Sequence, residues 1–377
     1  MLNTPPLSLY IHIPWCLQKC PYCDFHSYAT NSNIPSMEYV RHLLADLDHD
    51  IKLIYGREIS TIFIGGGTPN LLSAEGMQHL MDGIRIRLPL AANIEVTMEA
   101  NPGIIQTELF VSYQIAGINR ISIGAQSFNK KHLSILGRIH TPEEAKKAIS
   151  VIQKLDLHSF NIDLIYGLLN QSSEEALEDL YHAIKFNNTP HLSWYQLTIE
   201  DNTLFSAHPP KLPDNDTLWN IFQYGDTLLR STGYKQYETS SYAKDGYQCH
   251  HNLNYWRFGD YLGIGCGAHG KITFRDGCII RTVKTRHPRK YMKGSYLHKK
   301  TQINNNDLPL EFFINRFRLF EPTPRIEFQL YTGLKEEFIR TQLNHAIARN
   351  YIIETKESWQ ITQYGKLFLN SLLEIFL

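Results

Sequence analysis

Three cysteines lie within eight residues near the start of the chain, at Cys16, Cys20 and Cys23. Their spacing is C-x3-C-x2-C, and Pro14 and Pro21 favour a loop wrapped around a ligand over a helix. Three thiolates can hold three irons of a [4Fe-4S] cluster and leave the fourth iron open for a non-protein ligand. The spacing therefore predicts an iron–sulfur site.

A zinc site is the main alternative for these cysteines, and it would need a fourth ligand, for which Asp24 and His26 are nearest. The other three cysteines, Cys249, Cys266 and Cys278, are scattered along the chain. No signal peptide and no apolar run of about 18 residues is visible, so we expect a cytoplasmic protein. In that compartment cysteines are ligands or free thiols more often than disulfides.

Further groups with chemical potential follow the apolar runs that predict strands. The segments PWCLQKCPYC, GGGTPN, EANPG and GAQS follow four successive runs of this kind. Because the carboxyl ends of parallel strands meet at one end of a sheet or barrel, these segments are expected to form one site there.

The first 200 residues alternate between short apolar runs and longer stretches with helical spacing, which predicts six strand–helix repeats. Such repeats are typical of a parallel sheet, here a partial (β/α)6 barrel of the α/β class. The predicted strands are Leu7–Ile13, Thr61–Ile64, Asn93–Met98, Arg120–Ile123, Phe160–Ile165 and Leu192–Thr198. The predicted helices are Ser36–Ile54, Glu75–Leu88, Thr107–Ala116, Glu143–Leu155 and Glu174–Phe186.

The alternation of apolar runs and helical stretches ends at about residue 200, and three regions are predicted along the chain. Residues 1–205 form the barrel core, and residues 206–305 extend it with edge strands, one of them Tyr237–Tyr242. Residues 306–377 suggest a smaller α+β module of winged-helix-like order. Lys plus Arg and Asp plus Glu both number 37, so the net charge is zero and no nucleic-acid partner is expected.

The motif and its position resemble the radical S-adenosylmethionine (SAM) superfamily, in which C-x3-C-x2-C follows the first strand of a six-fold α/β repeat. The segments YIHIPWCLQKCPYCDF, FIGGGTPN, MEANPG, RISIGAQSF, LGRIH and NIDLIYGL are similar to its HemN-like branch, the oxygen-independent coproporphyrinogen dehydrogenases and their relatives. The resemblance implies that SAM chelates the open iron and is cleaved to a 5′-deoxyadenosyl radical.

The resemblance also implies a set of residues that contact SAM. Glycines after the second strand would let the backbone approach SAM where a side chain would block it. Polar side chains at or just beyond the strand ends would hold the ribose and the carboxylate. The residues are Tyr10, Tyr22, Gly66, Gly67, Thr68, Glu99, Gln126, Arg138 and Asp163.

Three departures separate the chain from the true dehydrogenases of this branch. Phe25 replaces a fourth cysteine, Gly103 replaces an arginine four residues after the third-strand Glu99, and only about six residues precede the first strand. These changes remove groups that the family associates with a second SAM and with the porphyrinogen. Dehydrogenase activity, the first alternative function, is therefore not favoured. A radical SAM enzyme that acts on another substrate is the second alternative.

The segment HNLNYW matches the H-N-x-x-Y-W pattern of the HemW-like haem chaperones in the same branch. It implies a haem site at His251, Asn252, Tyr255 and Trp256, because an imidazole can ligate iron while aromatic faces pack on the macrocycle. Asn252 is expected to orient the imidazole, and the adjacent His250 is an alternative ligand. Since the motif follows the barrel in sequence, we expect haem to bind beyond the barrel without displacing SAM.

The sequence thus predicts a HemW-like haem chaperone that binds a [4Fe-4S] cluster, SAM and haem and passes haem to acceptor haemoproteins. An electron donor such as a flavodoxin or ferredoxin is the expected partner for the cluster. The stretch Arg281–Lys300 holds eight Lys or Arg and no acid, which predicts a solvated loop. Its alternative role is contact with haem propionates or peripheral contact with a membrane.

Overall fold

The computed structural model describes residues 3–30, 33–186 and 189–377. All six strands predicted in the first 200 residues are present: the first has the predicted bounds, the next four are two to five residues longer, and the last is one residue shorter. The strands of this region are β1 (Leu7–Ile13), β2 (Trp15–Cys16), β3 (Tyr28–Ala29), β4 (Ile59–Gly66), β5 (Leu90–Ala100), β6 (Arg120–Gln126), β7 (Ser159–Tyr166) and β8 (His191–Gln196).

A twelve-stranded sheet forms the centre of the molecule. Its remaining strands are β9 (Lys235–Glu238), β10 (Ser241–Ala243), β11 (Asp260–Ile264), β12 (His269–Thr273), β13 (Ile279–Lys284) and β14 (Leu297–Gln302). The order is β14-β13-β12-β11-β1-β4-β5-β6-β7-β8-β10-β9, and β11 through β8 pair in parallel. The short β2 and β3 pair separately and enclose the cysteine loop.

The helices of the first region follow the strands as expected. They are α1 (Ser36–Asp50), α2 (Ala74–Arg87), α3 (Thr107–Ala116), α4 (Lys130–Ile135), α5 (Pro142–Ile152) and α6 (Ser173–Lys185). The short α4 was not predicted. Capping boxes at Thr141 and Ser172 begin α5 and α6. In each, the hydroxyl accepts from the backbone N–H of the glutamate three residues later, and the side chain of that glutamate accepts from the backbone N–H of the capping residue.

Strand β1 illustrates how the two faces of the sheet differ. Leu7, Leu9 and Ile11 are buried in the core that the surrounding helices cover. The alternate residues point to the opposite, inner face, where Ser8 bonds Thr61 of β4 at 2.7 Å. This inner face carries the polar groups of the molecule's centre.

Two predictions beyond residue 200 were wrong. The single edge strand Tyr237–Tyr242 is a hairpin, since β9 and β10 pair in antiparallel fashion around a two-residue turn. The stretch Arg281–Lys300 is not a solvated loop but parts of β13 and β14 with a helical turn between them. Lys284 in it is fully buried and pairs with Asp50 of α1 at 2.7 Å and with Asp46.

The remaining helices are α7 (Leu204–Ala207), α8 (Asn215–Ser231), α9 (His250–Trp256), α10 (Pro288–Tyr291), α11 (Leu308–Arg316), α12 (Arg325–Thr332), α13 (Arg340–Ala348), α14 (Gln363–Leu367) and α15 (Leu369–Leu373). The last five surround a small sheet of order β15-β17-β16. Its strands are β15 (Thr323–Pro324), β16 (Ile352–Glu354) and β17 (Ser358–Ile361). Phe312, Phe313 and Trp359 centre this module, and Phe258 joins it to the large sheet. In the described part of the chain, no helix is long and apolar enough to span a bilayer.

Candidate functional site

A cavity of about 430 Å³ lies where the inner face of the sheet meets the cysteine loop. Its volume is in the range of about 300–1,000 Å³ typical of small-molecule sites. Cys16, Cys20 and Cys23 all line it. So do eight of the nine residues predicted to contact SAM, namely Tyr22, Gly66, Gly67, Thr68, Glu99, Gln126, Arg138 and Asp163.

The cysteine loop is held by backbone hydrogen bonds at both ends. The N–H of Cys23 donates to the carbonyl of Cys20 at 3.1 Å, and the N–H of Thr30 donates to that of Cys16 at 2.9 Å. Burial raises the pKa of the Cys16 thiol and raises that of Cys23 to about 11. Without a metal these thiols therefore stay protonated, as expected for groups whose thiolates need an electrophilic partner.

Two glycines, one at the end of β4 and one directly after it, allow the backbone to approach the cysteine loop. A Cβ on Gly67 would lie 2.4 Å from the carbonyl oxygen of Trp15, beside Cys16. Gly66 adopts φ +112°, and a Cβ there would meet the His12 ring at 2.6 Å. Glycine is required at both positions because any side chain would displace the loop or the ring.

Arg138 brings a positive charge to the thiols. One of its Nη atoms lies 3.7 Å from the Cys20 sulfur, and the other donates to the carbonyl of Gly124 at 2.6 Å. Cys20 is also within 3.9 Å of the Gly137 carbonyl. A guanidinium here stabilises an anionic sulfur or a ligand carboxylate.

Two buried carboxyl groups, Glu99 and Asp163, face the same cavity. Glu99 accepts from the N–H of Gly66 at 3.0 Å, while Asp163 accepts from Ser122 at 3.0 Å and from Asn161 at 2.8 Å. Burial, with the nearby charge of Asp163, raises the pKa of Glu99 to about 8. Burial also raises the pKa of Asp163. Such a pair favours a ligand that carries hydroxyl or ammonium donors.

Gln126 at the end of β6 has φ +67°, a left-handed conformation that is costly for a residue with a side chain. Its side-chain oxygen accepts from the hydroxyl of Tyr195 on β8 at 3.0 Å. This bond joins β6 and β8, the strands on either side of β7. Tyr195 was missed by the sequence analysis, although its place at a strand end is the same signal that found the others.

Of the two proposed extra zinc ligands, Asp24 lines the same cavity as the three thiols, whereas His26 does not. The ring of His26 is bonded to the carbonyl of Arg286, away from the thiols. Across residues 3–30, 33–186 and 189–377, no three His, Cys, Asp or Glu side chains converge as a single metal ion requires. A [4Fe-4S] cluster does not require its ligands to converge on one ion, because each of the three thiolates binds a different iron.

Helix α9, which carries the HNLNYW segment, packs on the inner face of the sheet. The carboxylate of Glu95 in β5 accepts from the backbone N–H groups of His250 and His251, each at 3.0 Å. Asn254 donates to the Ser8 hydroxyl in β1 at 2.7 Å. The expectation that this segment lies beyond the barrel was therefore wrong, because polar groups of the inner face anchor it there.

The four residues predicted to bind haem divide among three environments. Asn252 and Trp256 line the main cavity beside the cysteine loop. Tyr255 and the predicted SAM contact Tyr10 instead line a second cavity, also of about 430 Å³. His251 is 2% exposed, stacks on Phe63 and shares a hydrogen bond of 2.8 Å between its Nδ1 and Thr61.

The imidazole of His251 is held by Thr61, not by Asn252 as predicted. Its Nε2 is buried without a partner among the described residues. Burial lowers the pKa of His251 to about 3, so the ring stays neutral at physiological pH. A neutral imidazole with a free Nε2 is the form that can ligate iron.

Two cavity residues had no signal in the sequence. Glu238 at the end of β9 and Arg318 after α11 both line the main cavity near Trp256. Their segments meet through a bridge between Glu238 and Leu319. Since the pairing joins distant parts of the chain, neither spacing nor composition could indicate it.

Comparison with known proteins gives matches over the whole chain. Residues 10–182 match the Radical SAM superfamily. The chain is 63% identical to the protein named heme chaperone HemW of Escherichia coli strain K12, over 100% of both chains. It is 56% identical to the Haemophilus influenzae protein of the same name, over 100% of this chain and 99% of the other. The corresponding Mycobacterium tuberculosis H37Rv protein is 32% identical, over 76% and 73%.

Among solved structures, the fold matches coproporphyrinogen III oxidase (HemN) from Escherichia coli, described as a radical SAM enzyme. The TM-score is 0.83 at 22% identity, covering 99% of this chain and 90% of that chain. This similarity confirms the predicted α/β fold class.

Proposed function

Since the chain belongs to the HemW family within the radical SAM superfamily, we propose that it is a haem chaperone that binds haem and delivers it to acceptor haemoproteins. The observation that carries the proposal is a shared cavity. Asn252 and Trp256 of the H-N-x-x-Y-W helix line the same space as the three clustered thiols.

A [4Fe-4S] cluster and SAM follow from membership of the superfamily, and we propose that Cys16, Cys20 and Cys23 hold the cluster. The fit rests on three thiols at one cavity wall and on Arg138 beside Cys20. When bound, the cluster and SAM supply one-electron chemistry. Electrons for it would come from a flavodoxin or ferredoxin.

For SAM, the residues of this chain offer a cradle and a set of acceptors. Gly66 and Gly67 leave room for its methionyl end, and Thr68 adds a hydroxyl at the same turn. Glu99 and Asp163 can accept from ribose hydroxyls or the amino group, and Gln126 and Arg138 can donate to its carboxylate. Tyr22 closes the cavity wall nearest the cluster loop. Tyr10 would act indirectly, through the His12 ring that its hydroxyl contacts at 3.0 Å.

For haem, we propose that Trp256 packs on the macrocycle and that His251 ligates the iron through Nε2. The unpartnered Nε2 supports this role, because a buried polar atom without a partner is costly unless function uses it. Thr61 on Nδ1 fixes the orientation of the ring. Because His251 is 2% exposed, ligation requires that α9 shift away from the sheet.

The test is a haem titration of the anaerobically reconstituted protein, followed by transfer to an apo b-type cytochrome. We expect about one haem per chain and faster filling of the acceptor than from albumin-bound haem. Failure to bind haem, or filling no faster than from albumin, would contradict the chaperone proposal. Robust decarboxylation of coproporphyrinogen III by the same sample would favour the dehydrogenase alternative instead.

A further inference from the structure

The wall of the main cavity beside α9 contains two buried N–H donors that have no acceptor. They are Nε1 of Trp256 and Nε of Arg318, and neither has a hydrogen-bond partner in the described chain. Both residues line the cavity. Unpartnered buried donors are uncommon in folded proteins, so two on one wall indicate a site for an acceptor ligand.

The two side chains form one unit. The guanidinium of Arg318 lies over the Trp256 ring, with its central carbon 4.4 Å from the ring centre. Stacking of this kind fixes the plane of the guanidinium and leaves its N–H edge free for a planar acceptor. A carboxylate is the acceptor that this fork matches best.

Two arginines near Arg318 form ion pairs with glutamates, and Arg318 differs from them in this respect. Arg316, two residues earlier, pairs with Glu321 at 3.3 Å and with Glu327 at 3.4 Å. Arg257, next to Trp256, pairs with Glu321. Arg318 itself has no ion pair among the residues that the structure describes, although it is partly buried. The Glu238 carboxyl acts on this guanidinium without forming a direct ion pair, and a partly buried cation without a direct ion pair favours an anionic ligand.

Glu238 lines the same cavity as this unit and is 3% exposed. One of its carboxyl oxygens, Oε2, has no partner among the described residues. Burial raises the pKa of Glu238, and the charge of Arg318 opposes that shift, so this carboxyl lies within the electrostatic reach of the guanidinium. The backbone keeps it there, because Glu238 bridges to Leu319 beside Arg318.

We propose that Arg318, stacked on Trp256, forms a carboxylate-binding subsite that holds a propionate group of the bound haem. The inference rests on the proposed haem function and adds a recognition element contributed by the C-terminal module. Arg138, the guanidinium proposed to bind the SAM carboxylate, lies beside Cys20 and not beside α9. The SAM carboxylate and the haem propionate would therefore be bound by different arginines. Arg318 is a positioning group for the macrocycle and takes no part in iron ligation.

The experiment compares ferric haem with its dimethyl ester, in which both propionates are uncharged, by Soret titration of the full-length reconstituted protein. The wild type should bind haem about 10- to 100-fold more tightly than the ester, as expected for a charge-assisted contact. Arg318→Gln should lose most of that preference, and Arg318→Lys should keep part of it. Arg349→Gln removes an exposed charge from the same module and should behave like the wild type.

Each outcome decides between the two proposals. Equal binding of haem and ester by the wild type, or an undiminished preference in Arg318→Gln, would overturn the subsite while leaving haem binding intact. Absence of binding of either compound by the wild type would refute the proposed function, and the subsite with it. Cluster absorbance and circular dichroism of each variant verify that the fold is retained.

Discussion

The backbone N–H of His251 donates to the carboxylate of Glu95, a residue 156 positions earlier, at a distance of 3.0 Å. The other carboxylate oxygen accepts from the N–H of His250 at the same distance. A barrel strand thus caps the helix that carries the H-N-x-x-Y-W segment. The cap is a carboxylate at the positive end of a short helix, where it satisfies donors that the helix cannot.

Glu95→Gln should destabilise the protein by about 1.5–3 kcal/mol, because a charged acceptor of two N–H groups is replaced by a neutral one. Burial raises the pKa of Glu95, but Arg120 and the two N–H groups outweigh it and hold the pKa below 4.5. The stabilisation is therefore present above pH 4.5 and is lost as the pH falls through the lower folded-state pKa. Melting temperatures at pH 7 measure the effect.

Glu58→Gln is the matched control. Glu58 is exposed and directly precedes β4, the neighbour of β5, and no contact of its carboxylate is described. A melting temperature for Glu95→Gln equal to that of Glu58→Gln would show that the cap does not stabilise α9.

Replacing Cys16, Cys20 and Cys23 together with Ala should abolish bound iron and sulfide after anaerobic reconstitution, because these thiols share one cavity wall. Replacing Cys249, Cys266 and Cys278 with Ala is the matched control and should leave both contents unchanged. Those three cysteines are not among the residues that line the main cavity. Retention of iron by the first variant, or its loss from the second, would refute the cluster assignment.

Trp256→Ala and His251→Ala should each weaken haem binding by about 1–3 kcal/mol, or roughly 5- to 150-fold. Trp256 supplies a cavity face, and His251 supplies the free Nε2. Soret titration gives the affinity, and the band position reports the iron ligand. His250→Ala is the neighbour control, because its side chain is exposed. If His250→Ala alone loses binding, the adjacent imidazole is the ligand.

Turnover of coproporphyrinogen III should be absent or very slow with SAM and a reductant under anaerobic conditions. Phe25 stands where the dehydrogenases carry a fourth cysteine, and its side chain is 55% exposed at the rim of the cavity. Chromatography of the tetrapyrroles is the measurement. Rapid formation of protoporphyrinogen would restore the dehydrogenase alternative.

The stability of the SAM-free protein should fall as the pH rises from 7 through about 8. Glu99 has a pKa of about 8 in the fold, raised by burial and by Asp163, against an ordinary value of 4.5. A raised carboxyl pKa stabilises the fold at low pH, and the effect is lost as the pH passes the folded value. Above pH 7 the buried histidines, whose pKa values are lowered, and Asp179, whose pKa burial raises to about 7, contribute little further change.

Glu99→Gln should flatten this part of the melting-temperature profile, since glutamine does not titrate. Glu143→Gln, an exposed change at the start of α5, should leave the profile as in the wild type. A profile for Glu99→Gln that still falls between pH 7 and 8 would show that another group titrates there.

Local pattern was sufficient to predict the first half of the fold. The bounds of β1 were predicted without error, because alternating apolar residues and flanking prolines are local signals. Eight of nine predicted SAM contacts share a cavity for a similar reason, since parallel strands deliver their carboxyl ends to one place. Only Tyr10 differs, because it lies in the middle of β1 and not at its end.

Contacts between distant segments were beyond the reach of the sequence. Lys284 sits in a basic stretch that suggests a solvated loop, yet its partners Asp46 and Asp50 lie more than 230 positions earlier. The charges of neighbouring residues in the sequence do not show which of them form ion pairs with distant residues in the folded chain. The position of α9 was missed for the same reason, because Thr61 and Glu95 anchor it from strands far away in sequence.

The pairing of β1 with β11 has a consequence for biosynthesis. β1 emerges first from the ribosome, but one of its two neighbours, Asp260–Ile264, is made about 250 residues later. Until then β1 has one open hydrogen-bonding edge, and the cysteine loop that follows it lacks the sheet in its final form. If Cys16, Cys20 and Cys23 hold an iron–sulfur cluster as proposed, its insertion should therefore follow translation of residue 264, and nascent chains arrested before that point should not retain it.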